Sequence, residues 1–218
     1  MSFHPPGVMP VREHLENGAK LNPHGFGGVL LLPGETMTMF RSLDAGEAIG
    51  WFCAERDKHP QAYALFHSRY ATGSPVTEEN CHPLEVGGDP ATVVAHNGLM
   101  FHVEPAEGSD TRVFAGQILP NYDLRNWRQR LTLERRMGPN KAVVFSSSPQ
   151  RDAVTLLNSH LGVWAGDVWH SNADYTGSGH ICPGRCGTCG TKVGPEEIIC
   201  PACDAAAGRR RALLLEAS

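Results

Sequence analysis

The sequence predicts an α+β domain, a layered sandwich of strands and helices, followed by a small cysteine-rich module. Three observations carry this reading. Short apolar runs punctuated by glycine and proline, such as Gly28-Val29-Leu30-Leu31-Leu32 and Ala91-Thr92-Val93-Val94-Ala95, have the length and β-branching of strands. Helical periodicity interrupts them at residues 11–18, at residues 43–59 with Ala45, Ile49, Phe52 and Cys53 on one face, and at residues 121–136. After Tyr175 the composition changes abruptly to cysteine, glycine and then arginine.

In chain order, the run at residues 141–146 reads as a strand, and residues 153–175, with Trp164 and Trp169, read as strands returning to the sheet. Thr176-Gly177-Ser178-Gly179 breaks the pattern. The expected division is therefore a main domain over residues 1–175, a linker over 176–179 and a small module over 180–218. No internal repeat is visible at a solenoid period.

At 218 residues and 41% hydrophobic content, the chain can bury one substantial core and still carry a small appendix. A net charge of -4 excludes a protein that coats nucleic acid through bulk charge, leaving only a local basic patch for such a role. No run reaches the roughly eighteen apolar residues of a membrane helix, and the first residues lack a secretory signal pattern, so the expectation is a soluble, cytoplasmic protein. Five of the seven cysteines crowd between Cys182 and Cys203, which suits metal binding in a reducing compartment better than a dispersed disulfide framework.

Four polar islands carry the chemistry: Phe66-His67-Ser68-Arg69-Tyr70-Ala71-Thr72-Gly73, Asn80-Cys81-His82-Pro83, Ala95-His96-Asn97-Gly98 and Ser109-Asp110-Thr111. Chemistry on glutamine needs a cation for its carboxylate, an acid for its ammonium and donors aimed at the amide oxygen as it becomes an oxyanion. Arginine, aspartate and an Asn-Gly pair can supply them. Alone, an Asn-Gly pair is usually a tight turn and a buried arginine an ion-pair partner; the ordered set is the signal.

In that order the islands resemble the class II glutamine amidotransferases, with their His-Thr-Arg-Trp-Ala-Thr, Asn-x-His-Pro, His-Asn-Gly and Asp-Thr motifs. The resemblance spans residues 22–175 and is nearest the small stand-alone members, which also end in a stretch like Trp169-His170-Ser171-Asn172. It includes an early glycine-rich turn at Asn22-Pro23-His24-Gly25-Phe26-Gly27. It implies a four-layer αββα N-terminal-nucleophile sandwich that hydrolyses L-glutamine to glutamate and ammonia for a synthase partner on another chain. By position, Arg69 would clamp the carboxylate, Thr72 and Gly73 would offer backbone contacts, Asn97 and Gly98 would form the oxyanion hole and Asp110 would hold the ammonium. His67, His82 and His96 are expected to orient backbone by hydrogen bonding, since the family's base is not a histidine.

The family's nucleophile is an N-terminal cysteine whose own α-amine serves as base. This chain begins Met1-Ser2-Phe3-His4-Pro5-Pro6-Gly7-Val8, and its Phe-x-Pro-x-Gly-Val stretch resembles one a few residues downstream of that cysteine. Three expectations follow, in order: the start lies upstream, Ser2 replaces the cysteine, or catalysis is lost. Ser2 stands out of register beside Phe3, and a hydroxyl is the poorer nucleophile. Cys81 lies inside a motif but has no implied base, and Cys53 reads as core. The competing function is a catalytically inactive amidotransferase fold acting as a zinc-dependent binding module. A hydrolase of another amide fits less well, because Arg69 and Asp110 suit a free α-amino acid.

Cys186-Gly187-Thr188-Cys189 and Cys200-Pro201-Ala202-Cys203 form two Cys-x-x-Cys pairs, the donor set of a four-thiolate zinc ribbon. A region this small has little core, so metal would supply most of its folding energy. Cys182 or His180 could replace a ligand, and an iron–sulfur site uses the same donors. Arg209-Arg210-Arg211 followed by Ala212-Leu213-Leu214-Leu215 reads as a solvated helix end, or as a phosphate- or partner-contacting tail that would give the ribbon a nucleic-acid role.

Overall fold

The computed structural model describes residues 1–34, 36–72, 74–100 and 109–177. The chain runs β1 (Ser2–His4), α1 (Arg12–Leu21), β2 (Phe26–Leu32), β3 (Thr36–Ser42), α2 (Ala45–Lys58), β4 (Tyr63–Ser68), β5 (Leu84–Val86), β6 (Asp89–Asn97), α3 (Asp110–Val113), α4 (Trp127–Met137), β7 (Lys141–Ser146), β8 (Val154–Leu157), β9 (Val163–Ala165) and β10 (Val168–His170), with short single-turn helices between.

The strands form two antiparallel sheets. One has six strands in the order β3-β2-β4-β1-β10-β9 and the other four in the order β5-β6-β7-β8. Strand alternation sorts the side chains into three packed zones. Phe3, Val29, Leu65, Val93, Val143, Phe145 and Trp169 fill the space between the sheets. On the six-stranded sheet's outer face, Leu30, Ala64 and Phe66 meet Leu15 and Ala19 of α1 and Ile49 and Phe52 of α2. On the other outer face, Val94, Ala142 and Val144 meet Phe114, Leu133 and Met137. The result is a mixed layered sandwich with helices outside both sheets.

Capping sets the helix starts. Asp44 accepts the Glu47 N–H at 2.8 Å while Glu47 takes the Ser42 hydroxyl at 2.7 Å, so α2 begins at Ala45 rather than at residue 43. Asn126 accepts from the amides of Arg128 and Gln129, so α4 starts at Trp127, six residues after the periodicity suggests. On α2 the buried residues are Ala48, Ile49, Phe52 and Arg56; Cys53 is only half-buried.

Arg56 is fully buried and donates to the carbonyls of Pro5, Val8, His59 and Ala62, tying the turn after β1 to the end of α2. Among the described residues no helix is long and apolar enough to cross a membrane.

Candidate active site

Arg69 follows the last residue of β4. Its amide donates to Gly25 O at 2.8 Å and its carbonyl accepts the His24 amide at 2.9 Å, so the glycine-rich turn and the β4 exit are laced together. The side chain is buried. Nη1 donates to Pro75 O at 3.1 Å and His24 O at 3.4 Å, and Nη2 donates to Ser74 Oγ. A guanidinium carries five N–H donors, so Nε and the second Nη2 proton lack a partner among the described residues. They share one edge, the geometry that takes both oxygens of a carboxylate. Burial pushes the Arg69 guanidinium down, opposed by Cys81 and Asp110.

Asn97 ends β6 and Gly98 turns the chain out of the sheet with φ +132°, a conformation that favours glycine. A Cβ on Gly98 would also overlap Asn140 Oδ1. The Asp110 carboxylate accepts the Met100 and Thr111 amides, both at 2.9 Å. Asn22, Arg69, Thr72, Asn97, Gly98 and Asp110 line one polar pocket. Asn22 is steadied from outside by Asp174, at 2.8 Å.

Three histidines, His67, His82 and His96, also line this pocket. His67 lies on the inter-sheet face of β4 and its Nε2 reaches His96 O on β6 at 3.0 Å, so one side chain bridges the two sheets. His82 Nδ1 approaches the same Nε2 at 3.0 Å. His96 points the other way, with Nδ1 2.9 Å from Thr111 Oγ1 and Nε2 3.0 Å from Asn140 Oδ1. Burial holds His67 and His82 well below the usual histidine range and lowers His96 as well, so all three are neutral at pH 7. His67 bonds backbone, the kind of contact expected of all three rings, whereas His82 bonds His67 and His96 bonds the side chains of Thr111 and Asn140.

The candidate nucleophiles lie elsewhere. Ser2 is in β1, but Phe3 faces the inter-sheet space, so Ser2 and His4 face the α1–α2 layer; Ser2 Oγ bonds His4 Nε2 at 3.0 Å. Cys81 is buried with its Sγ 3.5 Å from Thr77 O and 3.7 Å from Ser42 O, and burial pushes its thiol up. Neither side chain lines the pocket. Met1 precedes Ser2, which pairs with Phe66, so the register runs Met1 alongside His67. Burial, reinforced by Lys141 and opposed by Asp174, lowers the Met1 amine to about 6.

The structure thus brings together Arg69, Thr72, Asn97, Gly98 and Asp110. Gly73 lies outside the described residues, as do the proposed metal ligands Cys186, Cys189, Cys200 and Cys203 with Cys182. Among the described residues no group of three histidine, cysteine or acidic side chains could hold a metal ion. Asn22 entered the sequence reading only as part of a turn, and Ser74 and Asn140 not at all; each is a small polar residue beside glycine or proline, where a turn accounts for it equally well.

No family model matches this chain, and no curated protein matches it. Among solved structures it is similar to one described as the allosteric regulatory enzyme of purine biosynthesis, with 18% identity over 77% of this chain and a TM-score of 0.51. A glutamine phosphoribosylpyrophosphate amidotransferase from B. subtilis, complexed with ADP and GMP, is 20% identical over 77% of the chain, with a TM-score of 0.46. The chain spans 40% of the length of each. At such identity the likeness is one of architecture alone: the chain shares its layered fold with the first of these structures.

Proposed function

We propose that the domain hydrolyses the side-chain amide of L-glutamine, giving glutamate and ammonia, and that the ammonia serves an acceptor enzyme on a separate chain. The observation that carries this reading is the convergence of Arg69, Asp110 and the Asn97–Gly98 turn on one pocket. The free guanidinium edge of Arg69 takes the α-carboxylate and Asp110 takes the α-ammonium. The Asn97 side-chain amide and the Gly98 N–H supply the donors for the γ-carbonyl oxygen as it gathers charge, a role their place in the pocket lining supports. Attack on that carbonyl gives a tetrahedral oxyanion, its collapse expels ammonia and leaves an acyl-enzyme, and water then releases glutamate.

We assign the nucleophile to an N-terminal cysteine on the pocket side of Ser2, continuing β1. The β1 register supports this, because it carries the chain past Met1 alongside His67 and toward the pocket. We also propose one zinc ion held by Cys186, Cys189, Cys200 and Cys203, with Cys182 in reserve. Four thiolates suit tetrahedral zinc, and binding would fold the C-terminal module.

The test is glutamate release by two purified forms, this chain and one extended to the nearest upstream in-frame start. Activity confined to the extended form supports the whole assignment. Equal activity in both moves the nucleophile elsewhere. Silence in both, with fold and metal intact, overturns the enzyme reading in favour of a catalytically silent zinc-dependent binding module.

A further inference from the structure

We infer that Asn140 is a positioning residue that locks the Asn97–Gly98 turn to the carboxylate of Asp110 through one shared peptide unit. The catalytic consequence rests on the amidotransferase reading; the lock itself rests on geometry alone. Asn140 Nδ2 donates to Leu99 O at 3.2 Å and to Met137 O at 2.6 Å. Asp110 Oδ2 accepts the Met100 N–H at 2.9 Å. Leu99 O and Met100 N belong to the same planar amide, so holding both ends fixes the plane's orientation.

The other half of Asn140 closes the circuit. Its Oδ1 can only accept, so His96 Nε2, 3.0 Å away, carries the proton and His96 Nδ1 is bare. That nitrogen accepts from Thr111 Oγ1 at 2.9 Å, and the Thr111 amide donates to Asp110 Oδ1 at 2.9 Å. The ring of contacts therefore runs Asn140, His96, Thr111, Asp110, the Leu99–Met100 amide and back to Asn140. Every member is buried.

The ring passes behind Gly98, where Asn140 Oδ1 occupies the space a Cβ would need. Gly98 has the freest backbone in the turn, and an oxyanion donor is useful only if it is held in place before charge develops. Asn140 removes that freedom without touching substrate. Because the same ring holds Asp110, seating the substrate ammonium and aiming the oxyanion donor become one structural event. A donor set displaced by about 1 Å costs roughly 10- to 100-fold in rate with little effect on ground-state binding.

The experiment uses the full chain. Amide hydrogen exchange is followed at Met100 in the wild type, in Asn140→Ala and, because Asn140→Ala opens a cavity and could fail to fold, in Thr111→Val. Exchange at Met100 should be at least about 10-fold faster in each variant that retains wild-type exchange along β6 and β7, given that it loses its fixed partner plane. Unchanged protection at Met100 overturns the lock.

A kinetic arm uses the form that hydrolyses glutamine. There, Asn140→Ala and Asn140→Asp should lower kcat by roughly 10- to 100-fold with KM changed less than about threefold. Asn140→Asp keeps the Oδ1 acceptor but loses both donors, so full activity in that variant, or a loss confined to KM, overturns the inference. Absence of glutamine hydrolysis in every wild-type form overturns the amidotransferase reading instead, and the exchange result then decides the lock by itself.

Discussion

His82 Nδ1 and His96 O both lie 3.0 Å from His67 Nε2, and a neutral imidazole nitrogen carries at most one proton. Since His96 O can only accept, a proton on His67 Nε2 serves that bond, and protonating His82 at Nδ1 would set two N–H groups face to face. The pair is built for neutrality.

Acid should therefore destabilise the fold. Burial holds His67 and His82 well below the usual range and pulls His4 and His170 down to about 3. A histidine whose folded pKa lies below its unfolded value of about 6.5 contributes stability that is complete above that value and lost as pH falls. Each such group can cost up to ~1.4 kcal/mol per pH unit once the unfolded chain binds its proton. Urea unfolding at pH 7.5, 6.0 and 5.0 should show a steep decline, and His82→Gln should flatten it by about one proton's worth. Equal stability at all three values would refute the neutral-histidine account.

Arg69→Ala should abolish measurable binding of L-glutamine and L-glutamate in titration calorimetry, because the pocket would lose its carboxylate cation. It should also cost about 1–3 kcal/mol of stability, since the carbonyls of His24 and Pro75 lose their donor. Unchanged affinity would remove Arg69 from the site.

Gly98→Ala combines a φ of +132° with a Cβ placed on Asn140 Oδ1. We expect glutamine hydrolysis to fall by 100-fold or more, the order seen when an oxyanion donor is lost, with a lower melting temperature. Near-native kcat would show that the turn plays no part in the chemistry.

Arg56→Ala should be among the most destabilising single changes in the domain. Four backbone carbonyls lose one buried donor group, for a total of about 3 kcal/mol or more. Chemical denaturation measures it directly, and a cost under about 1 kcal/mol would mean that water replaces the guanidinium.

The purified protein should contain about one zinc ion per molecule by elemental analysis, in line with a single four-thiolate site. Cys186→Ser should lower the metal content and make the C-terminal module more susceptible to protease. A fully metallated, protease-resistant Cys186→Ser protein would rule out Cys186 as a ligand.

The pocket was legible where residue type and order are both unusual. Arg69, Asn97, Gly98 and Asp110 stood out because cation, amide donor and acid recur between strands. The run at 141–146 became β7 with the same limits, since both its faces are covered and its four central residues, Ala142 to Phe145, are apolar. β3 was not read as a strand: Thr36–Ser42 sits at the sheet edge, half-buried for most of its length, and does not alternate cleanly. Nor was β1, three residues long, whose His4 and Ser2 look polar yet are buried against each other. Asn140 was hidden for another reason. Gly138-Pro139-Asn140 reads as a turn between helix and strand, and only the fold shows that the turn's last side chain reaches behind Gly98.

The order β4-β1-β10 has a consequence for biosynthesis. β1 lies between β4 and β10, and the Ser171 amide reaches back to Met1 O at 2.9 Å. The opening residues therefore find their second neighbour only after about 170 residues have been made. Until then the sheet can extend only through β3-β2-β4-β1, and the edge of β1 that β10 covers in the finished fold is unpaired. Such long-range pairing is slow and leaves the edge exposed during synthesis. A nascent chain released before residue 168 would carry Arg69, Asn97 and Asp110 but no finished sheet to hold them, so the pocket can form only once the final strands of the domain are in place.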